Sequence, residues 1–259
     1  MTFSRIGHIA YNTYREAVRD RVLYNLVFFA LLLVGCTPLF GSISIGLERI
    51  VLVNLGLTAI TVFGMVIGIF VGIGLVSKEI DKRTLYTVLS RPVQRKEFIL
   101  GKYFGLTLTL VVNTFFMSIG FFAAMLYVTH RFESADLNLL VAIYFILLQF
   151  MMIIAITLLF SSFSSPLLSA LFAFGSFLIG NFAGDLRAAA NLLDGIQRMV
   201  VLAISYLVPN FTALNIVAQV AHDQGVQPSY VLWNTLYAFC YIAVALSAAI
   251  LIFENRDLK

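Results

Sequence analysis

Few side chains in this sequence have catalytic or ligating chemistry, and they are scattered. His8, His130 and His222 stand far apart, and the acids Glu133, Asp136, Asp185, Asp194 and Asp223 form no spacing that acid–base catalysis or a metal would need. Asp185 and Asp194, which flank a predicted helix, are the one pair that folding could bring together. Cys36 and Cys240 each sit inside an apolar run, the setting of a small buried hydrophobe, so no disulfide or metal is expected. A phosphate-cradling Gly-x-x-x-x-Gly-Lys-Ser/Thr pattern is absent: Gly101-Lys102 is followed by Tyr103. The one dense group is cationic. Ser77 to Lys102, SKEIDKRTLYTVLSRPVQRKEFILGK, holds 7 of the 17 basic residues of a chain with net charge +4.

The elements that must carry this group are set by an apolar background. The chain is 61% hydrophobic and 12% charged, against about 25% charged in a typical soluble domain. Because hydrocarbon is about 30 Å thick and a helix rises 1.5 Å per residue, about 20 apolar residues make a span. Six runs qualify: 24–40, 52–76, 104–128, 139–160, 167–183 and 231–253. Helices are expected, since an isolated span must satisfy its own backbone hydrogen bonds and the alternation of barrel strands is missing. No linker is long enough for a soluble domain, so residues 1–259 should form one bundle, an all-α polytopic membrane protein.

Charge placement gives the orientation. Of the basic residues outside these runs, 4 precede the first, 7 lie between the second and third and 2 follow the last, which puts 13 on one face and 4 on the other. The positive-inside rule then predicts that both termini and segment 77–102 are cytoplasmic. In this setting the basic excess speaks of topology rather than nucleic acid. Residues 1–23 lack the short apolar core and cleavage site of a removed signal peptide. They place Phe3, Ile6, Ala10, Tyr14, Ala17 and Val18 on one helical face, with Arg5, Asn12, Arg15, Glu16 and Arg19 opposite. That pattern predicts an amphipathic interfacial helix, serving either as a basic anchor or as an elbow onto the first span. Between spans five and six, 184–230 contains Gly195 to Val208, too short to cross, then Pro209 and the amphipathic stretch Asn210 to His222. Two short extracytoplasmic helices, re-entrant or interfacial, are expected there, an irregular loop being the alternative.

Within 77–102, Ile80, Thr84, Leu85, Val88 and Leu89 recur at helical spacing, and Glu79 and Arg83 stand four apart on the polar face. Pro92 removes a donor and pushes Arg91 out of helical angles, so the chain should turn at Ser90 to Pro92 and restart near Gln94. A short helix, a corner and a basic helix start could accept force from a soluble partner; a loop that merely sets topology would have the same composition. In span two, Gly64, Gly68 and Gly72 form a small-xxx-small ladder, with Gly56 and Gly74 nearby. The ladder admits a close helix neighbour, whether within the bundle, across a dimer seam or along a translocation path. The aromatics Phe115, Phe116, Phe121, Phe122, Tyr144 and Phe145 are expected to face lipid or pack, and Tyr24, Tyr127, Tyr230 and Trp233 to anchor span ends.

These residues resemble the signature of permease subunits of ABC type-2 transporters, especially the group similar to permeases of multicopper-enzyme maturation and gliding motility. The resemblance rests on Glu79 at the end of span two, Thr84 with Leu85, Val88 with Leu89, Pro92, Arg95, and Gly101 with Lys102 opening span three. Arg83 stands where that family often has Gly. The six spans, the basic amphipathic start and the two short outward helices also match.

The resemblance implies a permease without catalytic residues or bound cofactor, with ATP and Mg held by two cytoplasmic ABC ATPase subunits and a second permease, identical or related, completing a dimer in the bacterial inner membrane. It assigns ATPase coupling to Glu79, Arg83, Thr84, Leu85, Leu89, Pro92, Arg95 and Lys102, with the turn of Ser161, Ser162, Ser164 and Ser165 as a second contact. A carrier driven by its own ion coupling would keep ionisable residues inside its spans, and the six cores contain none. A charge-free path suits a lipid-like or amphipathic cargo better than a free ion. A non-transporting scaffold or regulatory subunit and a membrane-embedded enzyme are the competing classes; dependence of a partner's ATPase activity on this chain separates them.

Overall fold

The computed structural model describes residues 2–20, 47–81, 94–130 and 136–255, together with scattered positions between 23 and 39. Among the described residues the chain is helical, with no strand. The elements bounded by described residues include α1 (Thr2–Val18), α2 (Glu48–Asp81), α3 (Arg95–Thr129), α4 (Leu137–Ser161), α5 (Pro166–Asn181), α6 (Ala183–Ala190), α7 (Gly195–Leu207), α8 (Val217–Ala221) and α9 (Pro228–Asn255), with a 3-10 turn at Thr212–Leu214.

Among the described residues, four helices are long and apolar enough to cross a bilayer: α2 over Glu48–Gly74, α3, α4 and α9. A fifth span forms if α5 and α6, bent by 59° at Phe182, are taken together. Of the 17 residues of the run at 24–40, 8 lie outside the described residues. Two helices outrun the apolar stretches that predict them, since α2 begins at Glu48 rather than 52 and α3 at Arg95 rather than 104. Hydropathy locates only the part of a helix in hydrocarbon. The polar start of α3 persists because other helices cover it, as described below.

Helix α4 forms the centre, packed against α2, α3, α5 and α9. The most apolar stretch of α4 is 72% buried, whereas that of α9 is 33% buried, which puts α9 at the periphery. The glycine ladder of α2 lies on this core. A Cβ at Gly64 would fall 2.0 Å from the Phe150 ring, one at Gly68 3.1 Å from Leu110, and one at Gly72 3.3 Å from Thr157. Gly56 likewise lies under Phe121, 2.5 Å from a built Cβ. All four glycines therefore let α2 approach α3 and α4 of the same chain. Phe121 and Phe145 are fully buried, while Phe115 and Phe116 project outward. Cys240 is exposed on α9 rather than buried, because the outer face of a membrane helix is as apolar as its interior.

Between α5 and α9 the chain folds back into the bundle. The bend at Phe182 frees carbonyls of the last turn of α5, and the returning segment takes them: Phe211 N–H donates to Gly180 O at 3.0 Å and Thr212 Oγ1 to Asn181 O at 2.7 Å. Gly180 is needed for the approach, since a Cβ there would sit 2.3 Å from Pro209 O. Farther on, Gln149 Nε2 donates to Leu214 O, Asn210 N–H to Tyr237 Oη, and Tyr230 Oη to Ala213 O. Irregular backbone among apolar helices requires such partners, because water is not there to supply them.

Candidate functional site

The start of α3 emerges from the basic segment and is fixed on three sides. Gln94 precedes the helix in extended conformation, and its N–H donates to Glu97 Oε2 at 3.1 Å, which satisfies one of the donors orphaned at a helix start. The restart at Gln94 falls where the Pro92 corner predicts it. Glu97 is buried, with Arg5 of α1 at 3.8 Å from the same oxygen. One carboxylate thus caps α3 and meets a cation of the N-terminal helix.

Helix α1 lies against this start instead of standing alone. A Cβ at Gly101 would be 2.5 Å from Ile9, and one at Gly105 would be 2.5 Å from Thr13 and 2.6 Å from Ala10 O. Such contacts put backbone nearly against backbone, which only glycine permits. The buried residues Thr13 and Ala17 belong to the docked face of α1. That face includes Ile9 and Thr13, which the apolar pattern alone does not pick out. Lys102, 2% exposed, lies 5.7 Å from the Phe98 ring, with Nζ 3.9 Å from Glu16 of α1. Both contacts draw the lysine inward.

The third side is the end of α9. Arg95 donates to the carbonyls of Phe253 and Glu254, both at 2.8 Å, and lies 5.9 Å from the centre of the Phe253 ring. The last carbonyls of a helix have no intrahelical partner and carry the negative end of its dipole, so a guanidinium is a fitting cap. Phe98 stacks on Phe253 with ring centres 5.8 Å apart and planes at 15°. The turn between α4 and α5 lies at the same end. Ser161, Ser162 and Ser164 return their hydroxyls to the carbonyls of Leu158, Leu159 and Phe160. A cleft of about 420 Å³ opens between Ser162, Phe163 and the residues Leu251, Ile252 and Asn255.

The structure therefore brings Arg95 and Lys102 together with α1 and α9. Arg83, Thr84, Leu85, Leu89 and Pro92 lie outside the described residues, as does the side chain of Glu79, whose backbone belongs to the last turn of α2. Sequence reasoning missed Gly105, Glu97 and the roles of Ile9 and Thr13. A Gly-xxx-Gly pair at 101 and 105, read with the small residues of α1, is the signal that points to them.

At the opposite end, Arg49 of α2 bridges Asp136, at 2.8 Å ahead of α4, and Asp223, beyond α8. Asp185 lies in the first turn of α6 and Asp194 directly precedes α7. Among the described residues no three His, Cys, Asp or Glu side chains gather as a metal site.

A helical membrane bundle with a basic connection between α2 and α3 matches a known family over almost its whole length: the model described as ABC-2 family transporter protein covers residues 8–258. The chain belongs to that family. No curated protein matches it significantly. Membership makes it a multi-pass membrane protein and a permease component of an ABC transporter. Such ABC-2 components are generally non-catalytic and work with an ABC ATPase subunit.

Proposed function

We propose that this ABC-2 protein is the membrane-spanning half of an ATP-driven exporter, with six spans, both termini in the cytoplasm and a second permease, identical or related, as its partner in the bacterial inner membrane. Two separate ATPase subunits bind ATP and Mg and dock on the segment between α2 and α3 through Glu79, Arg83, Thr84, Leu85, Leu89 and Pro92. Their closure on ATP pushes that segment and opens a path between the halves.

The observation that carries this reading is the anchoring of the basic segment. Where the segment ends, at Gln94, the chain enters a helix braced by α1 on one flank and by the end of α9 on the other. A loop that only sets topology needs no such bracing. A lever does, because a push on an unsupported helix start would fray it. The excess of Lys and Arg at this end supports the cytoplasmic assignment.

On the other side, segment 184–230 is re-entrant. This is supported by the bond from Gln149, about 18 Å along α4 from Leu137, to Leu214, and by the bond from Asn210 to Tyr237, about 13 Å into α9. Both depths lie well inside a hydrocarbon layer of about 30 Å.

The test is purification of the tagged chain in mild detergent followed by reconstitution in nanodiscs. A polypeptide bearing a Gly-x-x-x-x-Gly-Lys-Ser/Thr loop should co-purify, and its ATP hydrolysis should depend on this chain. Movement of a solute by the chain alone in liposomes would refute the proposal.

A further inference from the structure

Two residues that the family resemblance assigns to ATPase contact, Arg95 and Lys102, spend their charges inside this chain. Arg95 caps the carbonyls of Phe253 and Glu254. Lys102 is 2% exposed and faces Glu16 and the Phe98 ring. A side chain buried to that degree presents no surface to a soluble partner; moving Lys102 out would take the cation from Glu16, and moving Arg95 out would take the one that caps the carbonyl end of α9.

The contacts around them join three helices that are distant in sequence. α1 meets α3 through Ile9, Ala10 and Thr13 against Gly101 and Gly105, and through Arg5 against Glu97. α9 meets α3 through Phe253 on Phe98 and through Arg95. Backbone contact of this closeness resists sliding, since any shift of α1 along α3 drives Ile9 or Thr13 into a neighbouring side chain.

We infer that α1, the first turns of α3 and the last turn of α9 move as one block, with Arg95 and Lys102 as positioning residues that carry a push on the start of α3 into α1 and α9. The inference rests on the function proposed above, and it names what the motor moves: the two terminal helices of the chain rather than α3 alone. Arg95 holds α9 to the block, and Lys102 with Glu97 holds α1. Because a guanidinium and an ammonium both donate to carbonyls, Arg95→Lys should preserve the link, whereas Arg95→Gln removes the charge that complements the helix end.

The experiment uses the full chain with its co-purified ATPase in nanodiscs, with Cys36 and Cys240 replaced by Ser. Spin labels are placed at the exposed residues Tyr11 and Leu251 in one sample and at Tyr11 and Phe70 in another. Distances are measured without nucleotide and after trapping with ATP and vanadate. With native Arg95, the Tyr11–Leu251 distance should stay fixed while Tyr11–Phe70 shifts. In Arg95→Gln the Tyr11–Leu251 distribution should broaden and become nucleotide-dependent, with ATPase recovery within about twofold of native; Arg95→Lys should restore the narrow distribution. A Tyr11–Leu251 distance that shifts with nucleotide in the native protein would overturn the inference. So would loss of the ATPase from Arg95→Gln by tenfold or more, which would make Arg95 a docking contact. Absence of any ATPase from the native preparation would instead strike the parent reading, a result told apart by the first purification.

Discussion

The side-chain amide of Gln149 donates a 2.9 Å hydrogen bond to the carbonyl of Leu214, 65 residues away in sequence, at the middle of the central helix. This contact pins a non-helical segment inside an apolar bundle, where a bare carbonyl would be costly. Gln149→Leu should therefore destabilise the protein by about 1–3 kcal/mol, the cost of an unsatisfied buried acceptor. A thermal melt in detergent should show a lower Tm, and protease should cut within 209–221 more readily. Tyr237→Phe, which removes the partner of Asn210 N–H, should act in the same direction.

Docking of α1 depends on two absent side chains. Gly101→Leu and Gly105→Val each place carbon atoms where Ile9 or Thr13 now sits, and should lift α1 from α3. The measure is labelling of Thr13→Cys, 1% exposed, by a maleimide in detergent. Labelling should be slow with both glycines present and rise at least tenfold in either variant, whereas Gly7→Ala, with open space around it, should leave it unchanged.

Which features were legible in the sequence follows from what each depends on. The apolar runs are long-range in composition but local in cause, so α2, α3, α4 and α9 show through hydropathy, and Pro92 places the restart at Gln94. Helix–helix contacts are not local. Gly101 reads as a motif residue, yet its reason lies in Ile9, and the amphipathic face of α1 reads as lipid-seeking although Thr13 on it is buried against α3. After α5, the helix Gly195–Leu207 is legible as an apolar run too short to cross, whereas the amphipathic stretch Asn210 to His222 is helical only at Thr212–Leu214 and Val217–Ala221. How this segment is held to the bundle is not legible, because that rests on single bonds from Gln149 and Tyr237, polar side chains that sequence alone would place anywhere on their helices.

The glycine ladder gives a graded series. Gly64→Ala should cost about 1–3 kcal/mol, since its Cβ overlaps the fully buried Phe150 ring and the core must repack. Gly68→Leu should reduce recovery of folded protein, its branches meeting Leu110 and Ile153. Gly74→Ala, with nothing within 4 Å, should be neutral or stabilising by up to about 1 kcal/mol from helix propensity. Melting temperatures of the three variants check the order.

Arg49 ties the far ends of α2 and α4. Removing it as Arg49→Met takes away the 2.8 Å ion pair of Asp136, which is 5% exposed. Because Arg49 itself is 20% exposed, the cost should fall below the 3–5 kcal/mol of a fully buried pair, on the order of 1–3 kcal/mol. Arg49→Met with Asp136→Asn should recover most of the lost Tm, and Asp223→Asn alone, at a half-exposed carboxylate, should change it little.

A soluble ATPase that works the segment between α2 and α3 from the cytoplasm must touch it there. A photocrosslinking amino acid at Leu85 or Leu89, activated in intact cells, reads that contact. An adduct is expected with a polypeptide carrying a Gly-x-x-x-x-Gly-Lys-Ser/Thr nucleotide loop, and none when the same amino acid replaces Tyr127, exposed near the far end of α3. No such adduct from either position while the ATPase still co-purifies, or labelling of Leu85→Cys by an impermeant reagent from outside the cell, would contradict it.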